Sequence, residues 1–286
     1  MSLYHQPPIG FVSSVSIQVL NLQKTIEFYT NTLGLTVLSQ DEHQVELSAN
    51  GKDSLLTIVQ LANGIKKVPR TTGLYHFALL LPSRKELGKI LNHFIKNQVP
   101  LQGASNHGIS EAIYLSDPEG NGIEIASDTD PKKWKWKNGQ LDVFSENGPM
   151  DVKSVLSESQ DEEFTKLPVD TIMGHIHLHG SELKNVRRFY EEALRMDVVI
   201  DLPLQALFFS YGNYHHHLAV NVWNGMGAPT PPSNSVGLRS FKLKLPENIS
   251  LDDIESNFIN MKIPYSKVEK GFAVSDPSGN NIIIYS

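Results

Sequence analysis

Two hydrophobic periods alternate along this chain. In Ser14-Val-Ser-Ile-Gln-Val-Leu20 apolar and polar residues take turns, the period of a half-buried strand. The residues that follow space their apolar members three and four apart and end on Phe28-Tyr29, the period of an amphipathic helix, predicted here over Gln23–Thr32. The same passage returns at His175-Ile-His-Leu-His179 and ends on Phe189-Tyr190. Gly73-Leu-Tyr-His-Phe-Ala-Leu-Leu-Leu-Pro82 returns as Gly237-Leu-Arg-Ser-Phe-Lys-Leu-Lys-Leu-Pro246, and Asp117-Pro-Glu-Gly-Asn returns as Asp276-Pro-Ser-Gly-Asn. The chain is one half written twice, and each half divides again into two similar units.

Each unit reads as strand, helix and then further strands. In the first, strands are predicted near Leu35–Leu38, Gln44–Ser48 and Ser54–Gln60. In the second, strand Leu74–Leu81 precedes helix Arg84–Asn97 and strands near Ile109–Leu115 and Gly122–Ala126. The third and fourth begin at Gly174 and Leu238. Ser127 to Val169 has weak periodicity and many Asp, Lys, Glu, Ser and Pro, so it reads as a surface connection with one short helix. Within it, Lys132-Lys-Trp-Lys-Trp-Lys137 is read as a solvated edge whose tryptophans tuck against a domain. The expected domains are 1–127, a linker 128–169, and 170–286.

Composition narrows the classes without choosing among them. Length 286, 40% hydrophobic and 20% charged residues suit a globular protein with a substantial core. A net charge of -6 argues against a nucleic-acid partner. No apolar run approaches the roughly 20 residues of a membrane span, and the first residues lack the pattern of a secretory signal. Cysteine is absent, so no disulfide or thiolate ligand exists and a metal would need His, Asp, Glu or other oxygen donors. A cytoplasmic enzyme is expected.

Candidate chemistry gathers between His107 and Glu124. Asp117-Pro-Glu-Gly120-Asn121 is turn chemistry between two short antiparallel strands. In the second of these, Glu124 stands between Ile123 and Ile125 and so faces away from both. A carboxylate aimed into the concave side of a sheet calls for a positive partner, and a metal ion is one. The alternative is a surface strand whose Glu faces water.

Four tandem βαβββ units resemble the vicinal oxygen chelate superfamily, which includes glyoxalase I, fosfomycin-resistance proteins and type I extradiol dioxygenases. The resemblance spans nearly the whole chain and implies an α+β fold of two incompletely closed mixed β-barrels. Carried over by position, its first-strand sites fall on Ser14, His76, His175 and Ser240, and its last-strand sites on Glu124 and Ile283. The implied metal ligands are therefore His76, Glu124 and His175, with His177 on the same strand face as an alternative to His175.

His107, Ile113-Tyr114, Asp117-Pro118, Gly120 and Glu124 are similar to the extradiol ring-cleavage signature, and Tyr214-His-His216-His-Leu-Ala resembles the strand with its acid–base histidine. Aligning Leu-Ala selects His216 over His215 and His217. The resemblance thus implies Fe(II), with Mn(II) as an alternative, and an aromatic diol and O2 as substrates. His216, Tyr114 and His107 would serve as catalytic groups. The commonest extradiol layout keeps all ligands in the second half, whereas these lie in units two and three. A shared cup between those two units is expected, with units one and four metal-free; exchange of units in a homo-oligomer could make the same pairing. A glyoxalase I-like isomerase would want a second acidic ligand where Ile58-Val-Gln60 or His215–His217 stands. A binding protein of the bleomycin-resistance kind would need no metal.

Overall fold

The computed structural model describes residues 2–143, 145, 147–159 and 162–286. The first unit is β1 (Phe11–Val19), α1 (Leu22–Glu27), β2 (Thr36–Gln40), β3 (Gln44–Ser48) and β4 (Leu56–Gln60). The second is β5 (Gly73–Leu80), α2 (Arg84–Lys96), β6 (Gly103–Asn106), β7 (Ser110–Ser116) and β8 (Gly122–Asp128). The connection carries β9 (Trp136–Lys137), β10 (Gln140–Leu141), β11 (Gly148–Pro149) and α3 (Val152–Glu158). The third unit is β12 (Ile172–His179), α4 (Leu183–Arg187), β13 (Asp197–Leu202), β14 (Ala206–Ser210) and β15 (Leu218–Asn221). The fourth is β16 (Gly237–Lys244), α5 (Leu251–Met261), β17 (Tyr265–Val268), β18 (Gly271–Ser275) and β19 (Asn281–Tyr285).

These strands build two large mixed sheets, an α+β architecture of the vicinal oxygen chelate type. One has eight strands in the order β17-β18-β19-β16-β1-β4-β3-β2. The other has nine, β11-β6-β7-β8-β5-β12-β15-β14-β13. Each sheet takes one unit from each half of the chain. The seams are the antiparallel pairs β1/β16 and β5/β12. Neither sheet closes on itself, so both are open cups rather than barrels. Alternation along the strands sends Val15, Ile17, Phe77, Leu79, Ile123 and Ile125 into the core, each at most 1% exposed.

Both Phe-Tyr repeats end in a wider π-helical turn, Phe28–Thr32 after α1 and Arg188–Ala193 after α4. These turns deliver Tyr29 and Tyr190 to the interior, where Tyr29 Oη donates to Asp117 (3.1 Å) and Tyr190 Oη to Asp276 (2.9 Å). Asp117 also accepts from the amides of Glu119 and Asn121 and from the Asn121 side chain. Asp276 repeats the pattern with Ser278 and Asn280. The two repeated motifs therefore bind one another. Tyrosine from an odd-numbered unit locks the Asp-Pro turn of the next, which joins the two sheets at each end.

The connection between the halves packs rather than trails. Trp134 is buried against Tyr4 and Tyr214, and its indole donates to Thr129 (3.1 Å). Among the described residues, no helix is long and apolar enough to cross a membrane.

Candidate metal centre

Glu124, His76 and His175 lie on three adjacent strands of the nine-stranded sheet, β8, β5 and β12 respectively. β5 and β8 run parallel with Ala78 opposite Glu124, while β12 runs antiparallel to β5 with Ala78 opposite His175. Small Ala78 thus stands between the two candidate side chains. Two irregularities in the β5/β12 ladder bracket the site, between Met173 and His175 and between His177 and Leu178. Bulges of this kind re-aim side chains near binding sites. Gly122 lets β8 approach β5: a Cβ there would lie 2.1 Å from the Tyr75 carbonyl oxygen and 3.1 Å from His76 Cβ.

The three side chains converge on one point. His76 Nε2 is 3.1 Å and His175 Nε2 3.3 Å from Glu124 Oε2, and the two imidazole nitrogens are 3.4 Å apart. A first-row metal with bonds of about 2.1 Å separates neighbouring donors by about 3.0 Å in an octahedron and about 3.4 Å in a tetrahedron. All three are buried, and each offers one ligand atom to a common centre. Burial opposes the charge on Glu124, but His175 and His76 outweigh it and hold the carboxyl well below its ordinary range. Burial lowers His76, partly offset by Glu124. A charged carboxylate beside a neutral imidazole is the protonation state that metal binding requires, so the residues present fit such an ion.

A cavity of about 520 Å³ opens over these donors. His107, Tyr114 and His216 all line it. Tyr114 faces Glu124 across the β7/β8 ladder, and its hydroxyl is 2.7 Å from His107 Nε2. Burial, and then the charge of Glu124, push the Tyr114 phenol well above its ordinary range. His107 Nδ1 lies 3.1 Å from Asn147 Oδ1. The His216 ring sits 4.2 Å from that of His175, and burial holds its imidazole well below the usual range. The remaining wall is largely apolar, with Tyr75, Ile109, Ile200, Leu202, Phe208 and Trp223.

The neighbouring histidines have other partners. His177, left open above as a ligand, lines the cavity but takes a hydrogen bond from Asn221 (3.0 Å) and is not part of the three-donor cluster. His217 accepts from the Tyr211 amide and pairs with the Tyr4 carbonyl, which anchors the N-terminal segment. His215 bridges His216 and Asp128. Gln60 accepts from the Leu22 amide and donates to the Leu20 carbonyl, which fixes the start of α1. Asp117, part of the signature, serves the turn and does not reach the donors.

Asp128, Asn147, Phe208 and Trp223 escaped the sequence reading. Asp128 had a signal: alternation from Glu124 through Ala126 puts it on the same face of β8. The others reach the cavity from distant elements, and no local pattern marks them.

The profile of the Glyoxalase/Bleomycin resistance protein/Dioxygenase superfamily matches residues 12–125. A Bacillus subtilis (strain 168) protein described as Catechol-2,3-dioxygenase is 37% identical over 286 residues, covering 99% of this chain and 99% of its own. A crystal structure from Bacillus subtilis, whose description as a dioxygenase is provisional, matches with TM-score 0.62 at 12% identity, over 96% of this chain and 84% of that one. Glyoxalase I from Zea mays matches with TM-score 0.58 at 16% identity, over 96% and 92%. At such identities these two structures speak for the fold alone.

Proposed function

This chain belongs to the glyoxalase/bleomycin resistance protein/dioxygenase superfamily, and from that premise we propose that it cleaves an aromatic diol with O2 as an extradiol dioxygenase. The observation that carries this is the convergence of two imidazoles and one carboxylate beneath a cavity with an apolar wall and a further buried histidine. The 37% identity to the Bacillus subtilis catechol-2,3-dioxygenase supports the same reading.

His76, Glu124 and His175 would hold the metal. Fe(II), with Mn(II) as the alternative, supplies an electron relay between diol and O2 when bound there, as expected of a two-histidine, one-carboxylate donor set. The chain's own groups do the rest. His216, kept neutral by burial, can accept a diol proton at the cavity wall and return it later. Tyr114 keeps its proton at neutral pH, and His107 holds its hydroxyl where a substrate oxygen can pair with it. Phe208 and Trp223 give the ring an apolar surface and exclude water from it. The sheet of units two and three is proposed as the catalytic one, with units one and four as a metal-free support.

The test is turnover of a catechol panel under air with the iron-loaded enzyme, followed by the yellow ring-opened product. Turnover that tracks bound iron or manganese is expected. Hemithioacetal isomerisation with nickel or zinc, and no ring cleavage with iron, would instead identify a glyoxalase-type enzyme.

A further inference from the structure

His216 is the last member of a hydrogen-bonded chain that begins at Asp128 near the surface. Asp128 Oδ1 lies 3.0 Å from His215 Nε2, and His215 Nδ1 lies 2.9 Å from His216 Nδ1. The other oxygen, Asp128 Oδ2, accepts from Tyr214 Oη at 3.0 Å. Both rings are buried, His215 at 1% and His216 at 8% exposure, whereas the Asp128 side chain keeps 18%. The carboxylate thus retains some contact with water while the rings have little.

Each hydrogen bond in this chain constrains the next. Where Asp128 is an ionised carboxylate, which only accepts, a neutral His215 carries its proton on Nε2. A neutral imidazole protonated at Nε2 has its lone pair on Nδ1. His216 can then pair with it only by donating from Nδ1. That leaves the lone pair of His216 on Nε2, and no other hydrogen bond to that nitrogen is found among the described residues. It belongs to the ring that lies tilted at 48° against that of His175 and lines the cavity. The opposite tautomer would set two lone pairs against each other at 2.9 Å, which is repulsive.

We propose that Asp128 and His215 are positioning residues that fix His216 as its Nδ1–H tautomer, presenting a bare Nε2 to the substrate. Sequence supplies the parts: Asp128 shares a face of β8 with Glu124, and His215 immediately precedes His216. The strand that carries the metal-binding carboxylate therefore also sets the orientation of the neighbouring base. Only the activity arm of the test rests on the ring-cleaving function proposed above; the tautomer can be read without turnover.

The test is nitrogen-15 spectroscopy of histidine-labelled protein, metal-free and zinc-loaded, at pH 8, where an imidazole is ordinarily neutral. Resonances are assigned by loss in His215→Gln and His216→Gln. Protonated Nδ1 on His216 and protonated Nε2 on His215 are expected; protonated Nε2 on His216 in wild type overturns the proposal whatever the enzyme's substrate. In Asp128→Asn the His216 resonances should report a mixture or reversal of tautomers. With catechol, kcat of that variant should fall about 10- to 1000-fold with KM within about twofold and metal content unchanged, since general-base catalysis contributes about 10² to 10⁴. Asp128→Glu should recover part of that loss. An unchanged kcat in Asp128→Asn, or an equal loss in Asp128→Glu, would refute the positioning role. Tyr214→Phe, which spares the Asp128–His215 bond, should leave the His216 tautomer as in wild type.

Discussion

Replacing Gly122 with Ala should damage both the stability of the nine-stranded sheet and its affinity for metal. Gly122 stands opposite His76 in the parallel β5/β8 ladder. An added Cβ would fall 2.1 Å from the Tyr75 carbonyl oxygen, whereas carbon–oxygen contacts are comfortable only from about 3.3 Å. The strands must part locally by about 1.2 Å, and backbone atoms cannot rotate away as a flexible side chain would. Overpacking of this kind costs about 1–3 kcal/mol. For a chain of this size that lowers the metal-free melting temperature by roughly 2–5 °C. Glu124 lies two residues along the displaced strand. Ligand distances tolerate only about 0.2 Å, so even a quarter of the displacement reaching Glu124 would spoil its spacing from His76. An affinity loss of about 10- to 100-fold is expected, the range for disturbing groups that support a metal ligand.

Scanning calorimetry of the metal-free proteins and competition titration of Fe(II) or Zn(II) against a chromophoric chelator measure the two effects separately. Gly148→Ala is the control, because its added Cβ meets nothing within 4 Å. A Gly122→Ala variant that melts and binds metal like wild type would refute the idea that the close approach of β5 and β8 sets the site.

Three further predictions follow from other parts of the molecule. His76→Ala should fold yet lose nearly all bound metal, read by elemental analysis; near-full metal content would overturn its assignment as a ligand. Tyr29→Phe and Tyr190→Phe should each cost about 1–2 kcal/mol in urea unfolding, since each removes a buried donor to a carboxylate that retains other donors; neutral substitutions would show that the two motifs do not lock each other. Burial pushes the His5 imidazole down to about 4, so it stays neutral in the fold while the unfolded chain binds a proton below its ordinary 6.5. Stability from this group is therefore intact above pH 6.5 and lost as pH falls from 6.5 to 4, by about 2 kcal/mol between pH 7 and 5. The difference in unfolding free energy between wild type and His5→Asn should shrink by that amount over the same interval, and a constant difference would contradict it.

The fourfold repeat, the helices and most strands were legible in the sequence because they follow from local periods: alternation at Ser14–Leu20, three-and-four spacing before Tyr29, and turn residues at Asp117–Asn121. The fold class followed from the family resemblance that the repeat carries. The face on which Glu124 sits was legible from local alternation, since side chains on a strand alternate wherever the strand pairs. Local patterns did not show the widening of α1 into a π turn at Phe28, because that turn answers to Asp117, 88 residues from Tyr29 along the chain. Nor did they show strand β6, whose short run Gly103–Asn106 has no apolar alternation. A cup shared by units two and three was expected only from where the candidate ligands fall; the pairing itself is made by the β1/β16 and β5/β12 ladders, which leave no mark on composition or period. The three histidines at 215–217 make the limit plainest. Composition and period set them side by side as equals and only the resemblance singled out His216, while tertiary structure gives His215 an aspartate, His216 a cavity and His217 the Tyr4 carbonyl, so that three identical side chains meet three different electrostatic environments.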